Sequence, residues 1–160
     1  MTDPAITFSK AITRRPSSSV INGLRSHDAG NPDFAQLQQD HKAYVQSLRA
    51  AGAEVLELDP LEDLEDAVFV EDTALCLPDC AVLMRPGAES RKPEVAPMGP
   101  SIRQIFKTVF EIAGPGSIEG GDILYTGREI LVGKSERTDH AGIAELSAFG
   151  EPKGYSVRTV

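Results

Sequence analysis

Two stretches of the 160-residue chain pair carboxylates with arginines at matched spacing. Asp72, preceded by Glu71, stands 19 positions ahead of Arg91, and Glu119 stands 18 ahead of Arg137. Between each acid and its arginine lie an apolar hairpin pattern and a loop that carries a serine, Ser90 in one case and Ser135 in the other. Carboxylates pair with a guanidinium or an amine, and an arginine forks a carboxylate through two parallel hydrogen bonds. Several of each gathered in one place suit a ligand that is cationic at one end and anionic at the other. An amino acid with a guanidino side chain is such a ligand. Taken singly, an Asp or Glu beside a turn is ordinarily a turn-former, and an isolated Arg makes an exposed ion pair worth little. Glu71-Asp72 differs, because Val68-Phe69-Val70 precedes it and Ala74-Leu75 follows. Neighbours on a strand face opposite sides, so one of the two acids must turn inward, and a buried carboxylate is costly unless paired.

The elements that must position these groups follow from periodicity. The first hairpin runs from Glu71 to Leu77, turns at Pro78-Asp79 and returns through Cys80 to Met84; the second runs from Glu119 to Tyr125, turns at Thr126-Gly127-Arg128 and returns through Ile130 to Gly133. A helix candidate follows each arginine. The first carries Ile102, Ile105, Phe106 and Val109, its start confined by Pro97 and Pro100, although Thr108 to Ile112 is β-rich enough to be a separate strand. The second opens on Thr138 as N-cap, turns Ile143 and Leu146 inward and ends near Gly150, before a strand over Tyr155 to Val160. A repeated hairpin–helix–strand unit of about 45 residues predicts a propeller-like array, with two unrelated hairpins in an α+β domain as the alternative. Ahead of the repeats, Asn31-Pro32 predicts a helix start, with Phe34, Leu37, Tyr44, Val45 and Leu48 on one face, a stop at Gly52 and a strand over Ala53 to Leu58.

Composition narrows the function class. With 41% hydrophobic and 25% charged residues, the chain is that of an ordinary globular protein of one domain, residues 1–160. A net charge of −8 argues against nucleic acid, whose phosphates need clustered Lys and Arg. No membrane-spanning stretch occurs, and Met1 to Pro16 lacks the pattern of an export signal, so a cytoplasmic location is expected. The two cysteines, Cys76 and Cys80, read as reduced, buried small hydrophobes without a metal or disulfide role, and His27, His41 and His140 as solvent-facing.

The runs Phe69-Val70-Glu71-Asp72, Arg85-Pro86-Gly87-Ala88-Glu89-Ser90-Arg91, Glu119-Gly120-Gly121-Asp122 and Gly133-Lys134-Ser135-Glu136-Arg137-Thr138 resemble, in order and spacing, the dimethylarginine dimethylaminohydrolase family. The likeness extends to Arg14–Gly23 and the helix from Asn31 to Gly52, and so covers nearly the whole chain. The resemblance implies an α/β propeller of the pentein type, here an incomplete array of about three of five modules. It implies that Asp72, with Glu71 nearby, binds the substrate guanidinium, that Asp66 contacts the α-amino group, and that Arg91 and Arg137 hold the α-carboxylate. Phe69 would line the pocket, Ser17 to Gly23 would form a mobile lid with Val20 touching substrate, and Glu119 would orient the catalytic histidine. The family hydrolyses methylated arginine to citrulline and an alkylamine through a cysteine nucleophile and a histidine proton shuttle, with no metal or other cofactor. Pro97-Met98-Gly99-Pro100 departs from the pattern, where the family carries an uninterrupted helix.

By the same resemblance the catalytic histidine and cysteine would lie beyond Val160, so the chain as given is expected to be inactive alone, whether as a fragment of a longer protein or as a natural short product. Open propeller faces would then favour self-association as a symmetric dimer. The alternatives are a related arginine or agmatine deiminase or amidinotransferase, and a non-catalytic protein that binds a guanidino ligand or a partner.

Overall fold

The computed structural model of the chain describes residues 8–27 and 30–160, so part of the stretch read for an export signal, residues 1–7, lies outside the described residues. These residues divide into two compact units, Phe8–Val70 and Glu71–Val160. In the first, β1 (Lys10–Arg14) and β2 (Glu54–Leu58) pair in parallel, from Lys10 opposite Glu54 to Arg14 opposite Leu58. Parallel partners need a crossover, which α1 (Phe34–Ala50) supplies. The helix starts later than Asn31-Pro32 predicts. Asp33 is its N-cap, and the Asp33 carboxylate accepts from the Gln36 N–H at 3.1 Å. An ionised carboxylate there satisfies a free helix N–H and also complements the helix dipole, which the neutral Asn31 does not.

The inward stripe of α1 also differs from expectation. Val45 is buried and Phe34, Leu37, His41 and Leu48 are half-buried, whereas Tyr44 is 55% exposed. Spacings of three and four connect 34, 37, 41, 45 and 48; Tyr44, three beyond His41 and four before Leu48, lies at the outer margin of that stripe. His41 is therefore not solvent-facing. Its burial lowers the pKa, opposed by the charge of Glu57 and a hydrogen bond to the Arg14 backbone. The chain leaves the helix through Gly52, in the left-handed conformation at φ +94°, and enters β2.

The second unit is built twice on one plan. β3 (Ala74–Cys76) and β4 (Ala81–Leu83) form an antiparallel hairpin, α2 (Val95–Ile105) crosses over, and β5 (Val109–Glu111) returns parallel to β4. β6 (Ile123–Tyr125), β7 (Glu129–Val132), α3 (His140–Gly150) and β8 (Ser156–Thr159) repeat the plan with the same pairings. Each three-stranded sheet has the second strand of its hairpin in the centre. The hairpin–helix–strand repeat is thus present, and two unrelated hairpins are not what the chain contains.

Two boundaries change. α2 runs unbroken through Pro97-Met98-Gly99-Pro100, so the prolines neither confine its start nor interrupt it. Pro97 sits in the first turn, where backbone N–H groups lack helical partners anyway, and Pro100 removes a single backbone bond. α3 is capped by Asp139 rather than Thr138. One oxygen of the Asp139 carboxylate accepts from the N–H groups of Ala141 and Gly142, both at 2.9 Å. Thr138 is buried instead, its hydroxyl accepting the Glu119 N–H at 3.1 Å.

One core joins the two repeats. Val82, Met84 and Ile112 of the first pack with Ile118, Ile130, Val132, Ile143 and Leu146 of the second, and Phe110 stacks on Phe149 with ring centroids 4.5 Å apart. The loop strand pair Arg85–Ile118 ties the repeats by two backbone bonds, 2.9 and 3.2 Å long. Cys80 belongs to this core, beside Leu77, whose N–H donates to the Cys80 carbonyl at 2.9 Å to close the hairpin turn. Cys76 is exposed, contrary to its expected burial, and both thiols are free. Among the described residues no helix is long and apolar enough to cross a membrane.

Candidate functional site

Glu71 and Asp72 lie on a 3-10 turn (Val70–Thr73) rather than on a strand, and the turn still sends one inward: Asp72 is buried and Glu71 exposed. One Asp72 oxygen accepts from the Gly121 N–H at 2.9 Å, and the other accepts from Nη1 of Arg91. Arg91 is buried too, on a second 3-10 turn (Glu89–Glu94), and its Nε and Nη2 are taken by the buried Glu94 at 3.2 and 2.8 Å. Burial alone would pull the Arg91 pKa down; hydrogen bonds to Glu94 and Asp72 outweigh it and hold the guanidinium above its ordinary value.

The turn before β6 seats directly on the turn before β3. A Cβ on Gly120 would lie 1.9 Å from the Glu71 carbonyl oxygen, an approach only glycine permits. That contact delivers the Gly121 N–H to Asp72. The two acids of the repeat are nevertheless not equivalent in structure. Asp72 stands two residues ahead of its hairpin and Glu119 four ahead.

Glu119 is fully buried. Its Oε1 accepts from the Gly87 N–H at 3.3 Å. Its Oε2 has no hydrogen bond among the described residues, though Nε of Arg137 lies 3.3 Å away, near enough for attraction but not aimed for a bond. The Arg137 side chain is 52% exposed. Ser135 shapes its loop: the hydroxyl donates to Asp122 at 2.7 Å and accepts the N–H groups of Arg137 and Thr138 at 3.0 and 3.1 Å. Gly87 packs against this loop, where a Cβ would come within 2.5 Å of the Arg137 Cα. One unit therefore brings together Asp72, Arg91, Glu119 and Arg137, and Glu119 feels the charges of the other three.

Asp66, Phe69 and Val20 belong to the other unit. Asp66 is buried, with both carboxylate oxygens 3.1 Å from the Leu24 N–H. Val20 is buried on a 3-10 turn (Ser18–Asn22), the segment expected to act as a lid. That turn is tethered through Ser18, whose N–H and hydroxyl donate to Glu62 at 3.0 and 2.8 Å. Phe69 is 47% exposed. Sequence reasoning missed Glu94, which looks like a solvated residue in a Lys-Pro-Glu run; its only signal is the three-residue spacing from Arg91. Among the described residues no cluster of His, Cys, Asp and Glu could hold a metal ion.

Burial raises the Glu119 carboxyl above its ordinary 4.5; Arg137 opposes the shift and the charge of Asp72 adds to it. The folded protein holds this proton more tightly than the unfolded chain, so the contribution to stability is complete below pH 4.5 and vanishes as pH rises through the raised value. Glu119→Gln is therefore expected to melt with the wild type in acid and several degrees above it at neutral pH, the gap opening upward from pH 4.5. Melting curves across pH check this, and a pH-independent gap would refute the assignment.

The arginine deiminase family model matches residues 60–149, which span both the Asp66–Asp72 segment and the whole of the two loops ending in Arg91 and Arg137. An N(G),N(G)-dimethylarginine dimethylaminohydrolase of Pseudomonas aeruginosa is 37% identical over 150 residues, 93% of this chain and 59% of that protein. A protein of the same description from Streptomyces coelicolor is 40% identical over 152 residues, 94% and 59% respectively. A solved structure of the Pseudomonas aeruginosa enzyme, a cysteine-to-serine mutant complexed with citrulline, superposes at a TM-score of 0.94 with 36% identity, over 97% of this chain and 61% of that one. The chain thus spans about three-fifths of the length of the relatives it matches, and its fold is of the pentein α/β type. It belongs to the arginine deiminase family, and within that family to the dimethylarginine dimethylaminohydrolases.

Proposed function

We propose that this chain forms the substrate-binding part of a hydrolase that converts methylated arginine to citrulline and an alkylamine in the cytoplasm. It would supply about three of the five modules of a propeller. The observation that carries the reading is the convergence, in one unit, of a buried and anchored Asp72 carboxylate with the Glu119–Arg137 pair. Asp72, with Glu71 beside it, binds the guanidinium and keeps it cationic, so that its central carbon stays electrophilic. The half-exposed Arg137 is free to meet the α-carboxylate. Arg91 reaches the same carboxylate only by exchanging Asp72 or Glu94 for it, which gives it a second role as the anchor of Asp72. Asp66 takes the α-amino group, Phe69 lines the pocket and Val20 rides on the lid.

In this chemistry a thiolate adds to the guanidinium carbon, the alkylamine leaves with a proton from a histidine, and water then cleaves the covalent intermediate. Glu119 orients that histidine. Neither cysteine here suits the nucleophile. Both thiols are held up at about 11, Cys80 by burial and the adjacent Asp79 charge, and Cys76, although part of its side chain reaches the surface, by desolvation from the protein packed around it. Residues 1–160 alone are therefore expected to release no citrulline from dimethylarginine or arginine, a colorimetric citrulline assay being the check. Turnover lost on Cys76→Ser or Cys80→Ser would restore those thiols as nucleophiles. In the complete enzyme, the arginine deiminase match makes unmethylated arginine the alternative substrate; ammonia as the amine product would favour it over alkylamine.

Binding is separable from turnover. Calorimetry should detect methylarginine binding to the chain, and Arg137→Ala should weaken it by about 1.5–3 kcal/mol through the loss of a charged hydrogen-bond partner. Equal affinities would make Arg137 a surface residue only. The assembly reading rests on Leu124 and Val160, 58% and 65% exposed beside an apolar hollow that Ile123 and Leu131 also line. Covering that face predicts a dimer whose mass in light scattering rises with concentration, and a concentration-independent monomer would exclude it.

A further inference from the structure

Ser135, the serine of the second loop, stands between β7 and α3, and its hydroxyl uses its whole hydrogen-bonding capacity. It donates to Oδ2 of Asp122 at 2.7 Å and accepts the N–H groups of Arg137 and Thr138 at 3.0 and 3.1 Å. The backbone adds to the closure: the Ser135 N–H donates to the Thr138 carbonyl at 3.1 Å, and the Gly133 N–H to the Asp122 carbonyl at 2.8 Å. Arg137 is thereby held at both ends. Ahead of it, Ser135 is tied to Asp122, the last residue of the 3-10 turn (Gly120–Asp122) that Glu119 precedes. Behind it, the Thr138 hydroxyl takes the N–H of Glu119 itself at 3.1 Å. Gly87 closes a third side, so near that a Cβ there would come within 2.5 Å of the Arg137 Cα.

The Arg137 backbone is thus fixed to the same four residues, 119–122, that carry the buried Glu119. Its side chain is not fixed in the same way: it is 52% exposed, with Nε 3.3 Å from Glu119 but not aimed for a bond. A long side chain with a loose head samples many rotamers, and the placement of its origin decides how often the guanidinium stands where a ligand meets it. We propose that Asp122 and Ser135 are positioning residues that preset Arg137 for a carboxylate, so that the site selects guanidino compounds with an α-carboxylate over their decarboxylated amines. The inference rests on the substrate reading given above and deepens it by naming α-amino acids as the selected class.

The test is calorimetric titration of the chain with N-methyl-L-arginine and with N-methylagmatine, which keeps the guanidinium and the amine but lacks the carboxylate. Wild type, Ser135→Ala and Ser135→Thr are compared; Thr keeps the hydroxyl, and the exposed position leaves room for its methyl group. The expected result is that S135A loses about tenfold in affinity for methylarginine, about 1.4 kcal/mol. Binding of the decarboxylated amine should change less than about twofold, and S135T should retain most of the wild-type affinity. An unchanged S135A, an equal loss for both ligands, or an S135T that behaves like S135A would leave Ser135 a purely structural residue and overturn the proposal. A wild type that binds the amine as tightly as the amino acid would overturn it too, while leaving the guanidinium reading in place. A wild type that binds neither ligand would overturn the substrate reading and this proposal with it. If the amine binds too weakly to titrate, the affinity lies in the carboxylate, and the S135A loss against the S135T rescue decides. If S135A gives no cooperative melt, Asp122→Ala, which removes the same hydrogen bond from its other end, carries the comparison with the same expectation.

Discussion

A guanidinium taken out of water must find its hydrogen bonds in protein, and Asp72 and Glu94 are among the partners that Arg91 finds. Desolvating such an ion carries a penalty of about several kcal/mol, and the attraction of its partners offsets that only when geometry is good. The arrangement is therefore better understood as a constraint than as a source of stability. It forces the 3-10 turn that carries Arg91 and the one that carries Asp72 into a single register. The turn before β6 must then approach closely enough for Gly121 to reach the remaining Asp72 oxygen. Gly120 and Gly87 are where the constraint reaches the backbone, each lying so near another loop that no side chain fits. The shared core and the Arg85–Ile118 pair bring the two repeats together, and the need to satisfy Arg91 fixes how their turns meet.

The repeat lets one plan support different surroundings at its two copies. Each hairpin starts from a 3-10 turn, and each is followed by a loop that ends near an arginine. The copies diverge in the offset of the acid and in the company of the arginine. Arg91 is buried with two acids, while Arg137 lies beside Glu119 and is half-exposed. One arginine has become part of the scaffold and the other remains available.

Much of this was legible in the residues. The hairpin–helix–strand repeat followed from apolar periodicity and turn chemistry, and the inward direction of one acid followed from its apolar flanks. That inward turn was reached through the wrong geometry, since a 3-10 turn and not strand alternation buries Asp72. Helix caps went astray where two candidates stood side by side: Asp33 displaced Asn31, and Asp139 displaced Thr138 once the Thr138 hydroxyl was engaged by the Glu119 backbone. Tyr44 and His41 lie three residues apart at the margin of the α1 stripe, where spacing alone does not decide which of them is covered. Glu94 stayed hidden for a deeper reason. Its importance lies in a contact with a residue whose own burial depends on long-range packing, and no local pattern reports that.

The order of pairing within each sheet has a kinetic meaning. The central strand meets one neighbour across a turn of a few residues and the other only after a helix has crossed over. Hairpins of this kind close in about 1–10 μs, and a short closure loses less chain entropy than a long one. β3–β4 and β6–β7 can therefore zip before β5 and β8 are in reach. The 3-10 turn that holds Asp72 and the one that Glu119 precedes adjoin those early strands, so the acids are carried into place by the most local part of the topology. Arg91, on the crossover, is recruited to a partner that is already waiting.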